Sequence, residues 1–130
     1  MRLLAIVVLS AAIAACGATV SADDKAIEAV QQHVIENFKD PSSATFRNVK
    51  VSDGTVCGEV NGKNSFGAYT GHSKFYGTYY EHSDTALGHV MNEDDDAMMA
   101  AFGPLYDAHC DEAGNPRTDD ERLETLSEQW

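Results

Sequence analysis

Apolar residues recur at helical spacing near the start of the chain, at Ile27, Val30, Val34 and Phe38, with Ile35 widening the stripe. This predicts an amphipathic helix over residues 23–39. Ala26 and Ala29 favour it, and Glu28, Gln31, Gln32 and Glu36 suit its wet side. Ser21 and Asp24 have the spacing of a capping box, with Ser21 as cap. His33 reads as solvent-facing. Asp40-Pro41 ends the helix, because proline disfavours helical geometry in the residue before it.

The pattern then shifts to extended chain. Thr45 to Val51 is rich in β-branched and aromatic residues, and Thr55 to Asn61 follows across the Asp53-Gly54 turn signal, so the two form a hairpin. On the second strand Val56, Gly58 and Val60 share one face, and Cys57, Glu59 and Asn61 the other. Asn61-Gly62 is another turn signal. The glycine and aromatic mixture of 64–71 reads as a short strand or an ordered loop. Residues 74–80 predict a third strand, with Phe75 and Tyr79 inward and Lys74, Tyr76, Thr78 and Tyr80 on an exposed face. Thr85 to Met91 predicts a fourth, with Leu87, His89 and Met91 opposed to Ala86, Gly88 and Val90. The strand order stays open.

Helical spacing returns after the acidic run Glu93-Asp94-Asp95-Asp96, which suits the positive end of a helix starting near residue 93. Phe102, Leu105, Tyr106 and His109 or Cys110 continue one face, and Pro104 predicts a kink or a restart. Residues 111–117 read as a connector. Thr118 and Glu121 form a second capping box, and Leu123, Leu126 and Trp130 follow at helical spacing. They predict a terminal helix docked by Trp130, with a frayed acidic tail as the alternative. The fold class is α+β: an N-terminal helix, a small antiparallel sheet of three or four strands, C-terminal helices and one disulfide.

The first 22 residues have another character. Arg2 precedes the apolar run Leu3 to Ala15, which small residues close, and this is the build of an export signal. The run is short for a membrane span, which needs about 20 apolar residues. Ile13-Ala14-Ala15-Cys16 resembles the lipobox of bacterial lipoproteins, which implies cleavage before Cys16 and lipidation of that cysteine. Val20-Ser21-Ala22 offers a competing cut after Ala22. The first cut keeps the Ser21 cap and the second destroys it. Gly17 beside the cysteine lacks the aspartate of an inner-membrane retention signal, so the lipoprotein resemblance implies the outer membrane, facing the periplasm. The second cut implies a soluble periplasmic or secreted protein. Either way, residues 1–22 are a signal region and 23–130 a single small exported domain.

Setting Cys16 aside leaves Cys57 and Cys110, and an even pair in an exported chain reads as a disulfide. Charge is lopsided: the chain holds 21 acidic and 9 basic residues. Residues 93–130 alone hold 12 acidic and 2 basic. Such a surface repels nucleic-acid phosphates and anionic lipid, so no nucleic-acid partner is expected, and membrane contact only through an N-terminal lipid.

Specific chemistry is sparse. The run 93–96 lacks the alternating oxygen ligands, central glycine and later glutamate of a calcium loop. His72, His82, His89 and His109 match no zinc spacing. Gly71-His72-Ser73-Lys74-Phe75 begins like a nucleophile elbow but has Phe75 where glycine is needed. No metal, cofactor or catalytic residue is expected. The aromatic group is the more informative feature: Tyr69, Tyr76 and Tyr80 are a candidate binding face, since strand tyrosines bury much area at little entropic cost. Tyr69, His89 and Glu59 are where a pocket is to be sought.

The block Asp40-Pro41-Ser42-Ser43-Ala44-Thr45-Phe46-Arg47-Asn48-Val49, followed by Val56-Cys57-Gly58-Glu59-Val60-Asn61-Gly62-Lys63-Asn64-Ser65-Phe66-Gly67-Ala68-Tyr69-Thr70-Gly71, resembles a family of small exported proteins of proteobacteria and phages. That resemblance covers residues 40–71. It implies export and supports the disulfide, with Cys110 as the late cysteine of the pattern, and it brings no catalytic residues. The expected function is a lipid-anchored envelope protein that binds an envelope protein or a small molecule, or has a structural role. A soluble exported binding protein and an envelope enzyme are the rival readings.

Overall fold

In the computed structural model, residues 19–128 are described. Residues 1–18, which include Cys16 and most of the expected signal region 1–22, and the terminal Gln129-Trp130 lie outside them, as does the expected docking by Trp130. The elements are α1 (Ala22–Ile35), a 3-10 turn (Pro41–Ser43), β1 (Thr45–Ser52), β2 (Thr55–Asn61), β3 (Ser73–Tyr80), β4 (Thr85–Val90), α2 (Asp96–His109) and α3 (Asp119–Glu128). The strands form one antiparallel meander in the order β1-β2-β3-β4. The α+β architecture is as the sequence predicts.

Ser21 caps α1, its hydroxyl accepting from the Asp24 amide at 3.1 Å. The helix stops at Ile35, four residues before the expected end, yet Phe38 still packs on the core. Asp53 and Gly54 both have positive φ, 47° and 78°, as a two-residue hairpin turn matched to strand twist requires.

Alternation along the strands builds two layers of side chains. Ala26, Val30 and Val34 of α1 meet Val56, Val60 and Phe75 on one sheet face. Gly77 and Gly88 open the groove that receives the helix: a Cβ at Gly77 would stand 2.3 Å from Val30 Cγ1, and one at Gly88 2.8 Å from Val34 Cγ2. His33 is not solvent-facing, contrary to expectation. It is half-buried, and its Nδ1 accepts the Gly88 amide at 3.1 Å. That amide points off the outer edge of β4, where the sheet provides no partner, and the neighbouring helix provides one instead.

The opposite face is covered by α2. Its core joins Cys57, Tyr76 and Met91 to Tyr106 and Cys110. Cys57 and Cys110 are bonded, with S–S 2.01 Å and Cα atoms 6.1 Å apart, across 53 residues. The helix begins later than the acidic run suggests, at Asp96, because Asp95 is the cap and accepts from the Met98 amide at 3.0 Å. Pro104 neither ends nor restarts it; one helix runs from Asp96 to His109 with the proline on its exposed side. In α3 the Thr118–Glu121 capping box forms, with the Thr118 amide donating to Glu121 Oε2 at 2.8 Å and the Glu121 amide to Thr118 Oγ1 at 3.4 Å. Among the described residues no helix is long and apolar enough to cross a membrane.

Candidate functional site

The cleft that best unites shape and charge lies on the α2 side of the sheet, where that helix leaves β1 and β2 open. It has a volume of about 410 Å³. Its rim is Asn48, Lys50, Glu59 and Lys74 from the strands, and Tyr106 and Glu112 from the far side. Two adjoining hollows of about 360 and 380 Å³ also reach Lys74, so this ammonium stands where three depressions meet.

Local backbone geometry places these groups. Strand β1 pairs Arg47 with Glu59 and then Lys50 with Cys57, so Asn48 and Val49 together oppose Gly58. This is a bulge, and Asn48 adopts a left-handed φ of 53°, a conformation asparagine tolerates better than most residues. The bulge aims Asn48 at Glu59, whose Oε2 accepts from Asn48 Nδ2 at 2.7 Å. Arg47 donates to both carboxylate oxygens through Nε and Nη2, each at 3.1 Å. Arg47 first, and Asn48 second, hold the Glu59 pKa below its usual value. Beside it, Lys74 is the cross-strand partner of Glu59 on β3. The Lys74 Nζ stands 3.6 Å from Glu93 Oε1 and 5.8 Å from the centre of the Tyr106 ring. Burial raises the Tyr106 pKa, so the phenol stays neutral. Lys50 donates to Asn115 Oδ1 at 2.7 Å and ties β1 to the loop after Cys110. Asp111 closes that loop by accepting from the amide and side chain of Asn115, at 2.7 and 2.9 Å.

The arrangement offers fixed charges of both signs around an aromatic floor. It is poorly suited to proton transfer, because Glu59 is held ionised by three donors. Among the described residues no group of three acidic, histidine or cysteine side chains is placed to hold a metal ion.

The tyrosines part company in the fold. Tyr76 is only 5% exposed, because α2 lies over it; this corrects the expectation of an exposed strand face around it. Its ring stacks on His109 at 5.0 Å and meets Tyr106 edge-on at 6.0 Å. Tyr69 and Tyr80 are half-exposed; Tyr80 ends the eight-residue β3, and Tyr69 lies in the loop before it. The Tyr69 hydroxyl donates to the Ser43 carbonyl at 3.0 Å and pins its loop to the 3-10 turn. Of the three positions where a pocket was sought, Glu59 lines the cleft and Tyr69 and His89 do not. Sequence reasoning passed over Asn48, Lys50, Tyr106 and Glu112. Lys74 was visible only as a polar strand residue; its register with Glu59 is a tertiary fact.

Fold and cleft together define a small disulfide-stapled α+β domain with a mixed-charge recess on one sheet face. Compared with known protein families, curated proteins and solved structures, the chain finds no match.

Proposed function

We propose that this is a lipid-anchored envelope protein, acylated at Cys16 and facing the periplasm from the outer membrane, that works by binding through the cleft beside Glu59 and Lys74. The observation that carries the binding role is the Glu59 clamp. A carboxylate held by Arg47 and a bulged Asn48 is ordered before any ligand arrives, which lowers the entropic cost of capture. The ligand class that fits is a small molecule or protein segment bearing charges of both signs. Its acidic group would meet Lys50 and Lys74, and its basic group Glu59 and Glu112.

Two observations favour export and the anchor. The Cys57–Cys110 bond suits an oxidising compartment. Ser21 caps a helix that already includes Ala22, so a cut after Ala22 would remove both the cap and the first helical residue. A cut before Cys16 leaves them intact.

Intact-mass analysis of the mature chain tests the anchor. The expected product begins at an acylated Cys16, and Cys16→Ser abolishes incorporation of labelled palmitate. A free N-terminus at Asp23 overturns the anchor and leaves a soluble exported protein. For binding, the amide resonances of Asn48, Gly58, Glu59 and Lys74 are followed while charged amino acids and short peptides are titrated. Saturable shifts that disappear in Lys74→Ala are expected, and a full panel without shifts refutes the cleft as the binding surface.

A further inference from the structure

Phe66 is 95% exposed, the most exposed large apolar side chain among the described residues. It is also held on a built turn. Asn64 Oδ1 accepts the amides of Phe66 and Ala68 at 2.9 and 3.2 Å, and the Asn64 amide donates to the Ala68 carbonyl at 2.9 Å. Lys63 bridges to Tyr69 below the turn, and the Lys63 amide donates to Ser43 Oγ at 2.9 Å. An aromatic side chain presented on ordered backbone forfeits little entropy when it is buried by a partner.

The same loop forms one wall of a hollow. Phe38, Val60, Gly62 and Val90 give it an apolar lining, with Lys63 and Thr70 among the residues at its edge, and its volume is about 190 Å³. A cavity of roughly 150 Å³ suffices for a benzene ring. Knob and hole therefore lie side by side on one surface. A two-fold axis through such a surface seats each knob in the other copy's hole and closes the assembly.

Charge favours the same occupant. Residues 61–72 contain Lys63 and His72 and no acidic residue, in a chain whose net charge is −12. Glu93 and Asp94 border the same loop at the hollow they share with Thr70, Gly71 and His72, so the surface carries both signs, as pairing with a second copy of itself favours.

We propose that the chain self-associates as a two-fold dimer in which Phe66 of each copy enters the Phe38–Val60–Gly62–Val90 hollow of the other. The pairing does not depend on the lipid anchor or on the cleft ligand. The test uses the full-length chain, expressed in one cell with two different epitope tags and with p-benzoylphenylalanine at position 66. Irradiation is expected to give a product of twice the chain mass that carries both tags, with position 66 joined to residues lining the hollow. Thr70→Trp in the second copy, narrowing the mouth of the hollow, is expected to abolish that product. In sedimentation equilibrium, Phe66→Ser is expected to weaken the dimer by at least about thirtyfold, as for loss of an interface anchor. An adduct confined to one chain, an adduct to phospholipid, an adduct to a different protein, or no adduct each overturns the proposal.

Discussion

Gly77 lies so close to α1 that its missing side chain is part of the packing. A Cβ there meets Val30 Cγ1 at 2.3 Å and the Leu87 carbonyl oxygen at 2.5 Å, and the second is backbone that cannot rotate away. Gly77→Ala is expected to destabilise the domain by about 2 kcal/mol or more, read as a lower urea midpoint at unchanged slope. His33 is the second residue whose role is set by one atom. Removing it in His33→Ala leaves the Gly88 amide without its acceptor, a loss of about 1–3 kcal/mol if water cannot reach the site. Sequence periodicity placed His33 on the wet side because it counts faces, whereas the bond to Gly88 depends on how far α1 reaches over the sheet edge.

At the scale of elements, α2 is held to the sheet by a column of rings and by the disulfide. Phe102 stacks on His89 at 5.1 Å, His89 lies 5.5 Å from Tyr76, and Tyr76 stacks on His109 at 5.0 Å. Burial lowers the His109 pKa from its usual 6.5, opposed by its contact with the Leu105 carbonyl and reinforced by Arg122 and His89. The unfolded chain therefore takes up this proton at higher pH than the folded one. The contribution is fully present above about pH 6.5 and is lost as pH falls through the depressed folded value. His109→Phe, which keeps a ring in the column, is expected to flatten the decline of Tm between about pH 6.5 and pH 5. Glu59 and Asp111 are also held low, so they act in the same direction but only at more acid pH, near and below their usual 4.5 and 3.8. The disulfide is the other clasp. Closing a loop with a separation of 53 residues is worth roughly 4 kcal/mol by chain entropy. The double variant Cys57→Ala/Cys110→Ala is expected to lose about that much in urea unfolding.

For the whole molecule, charge acts against compactness. Residues 93–130 hold 12 acidic and 2 basic residues, and the chain carries a net −12. Raising salt from about 20 to about 300 mM shortens the Debye length well below the domain diameter and is expected to raise the Tm, checked by calorimetry at constant pH. Arg47→Ala should respond differently, because it also unclamps the half-buried Glu59 and lowers affinity for any ligand of the cleft.

The elements themselves were legible in the chain. The 3.6-residue stripe gave α1, the Asp53-Gly54 signal gave the first hairpin, two capping boxes gave helix starts, and two cysteines remaining after Cys16 gave the disulfide. These are local statements, and backbone propensity and solvent exclusion act locally. The burial of Tyr76, the edge bond of His33, and the meeting of Asn48, Glu59, Lys74 and Tyr106 were decided only in three dimensions. Alternation along a strand says which residues share a face, but the covering of that face depends on an element dozens of residues away. Register, a bulge at Asn48 and the docking of α2 supplied that information, because each is fixed by contacts between distant segments.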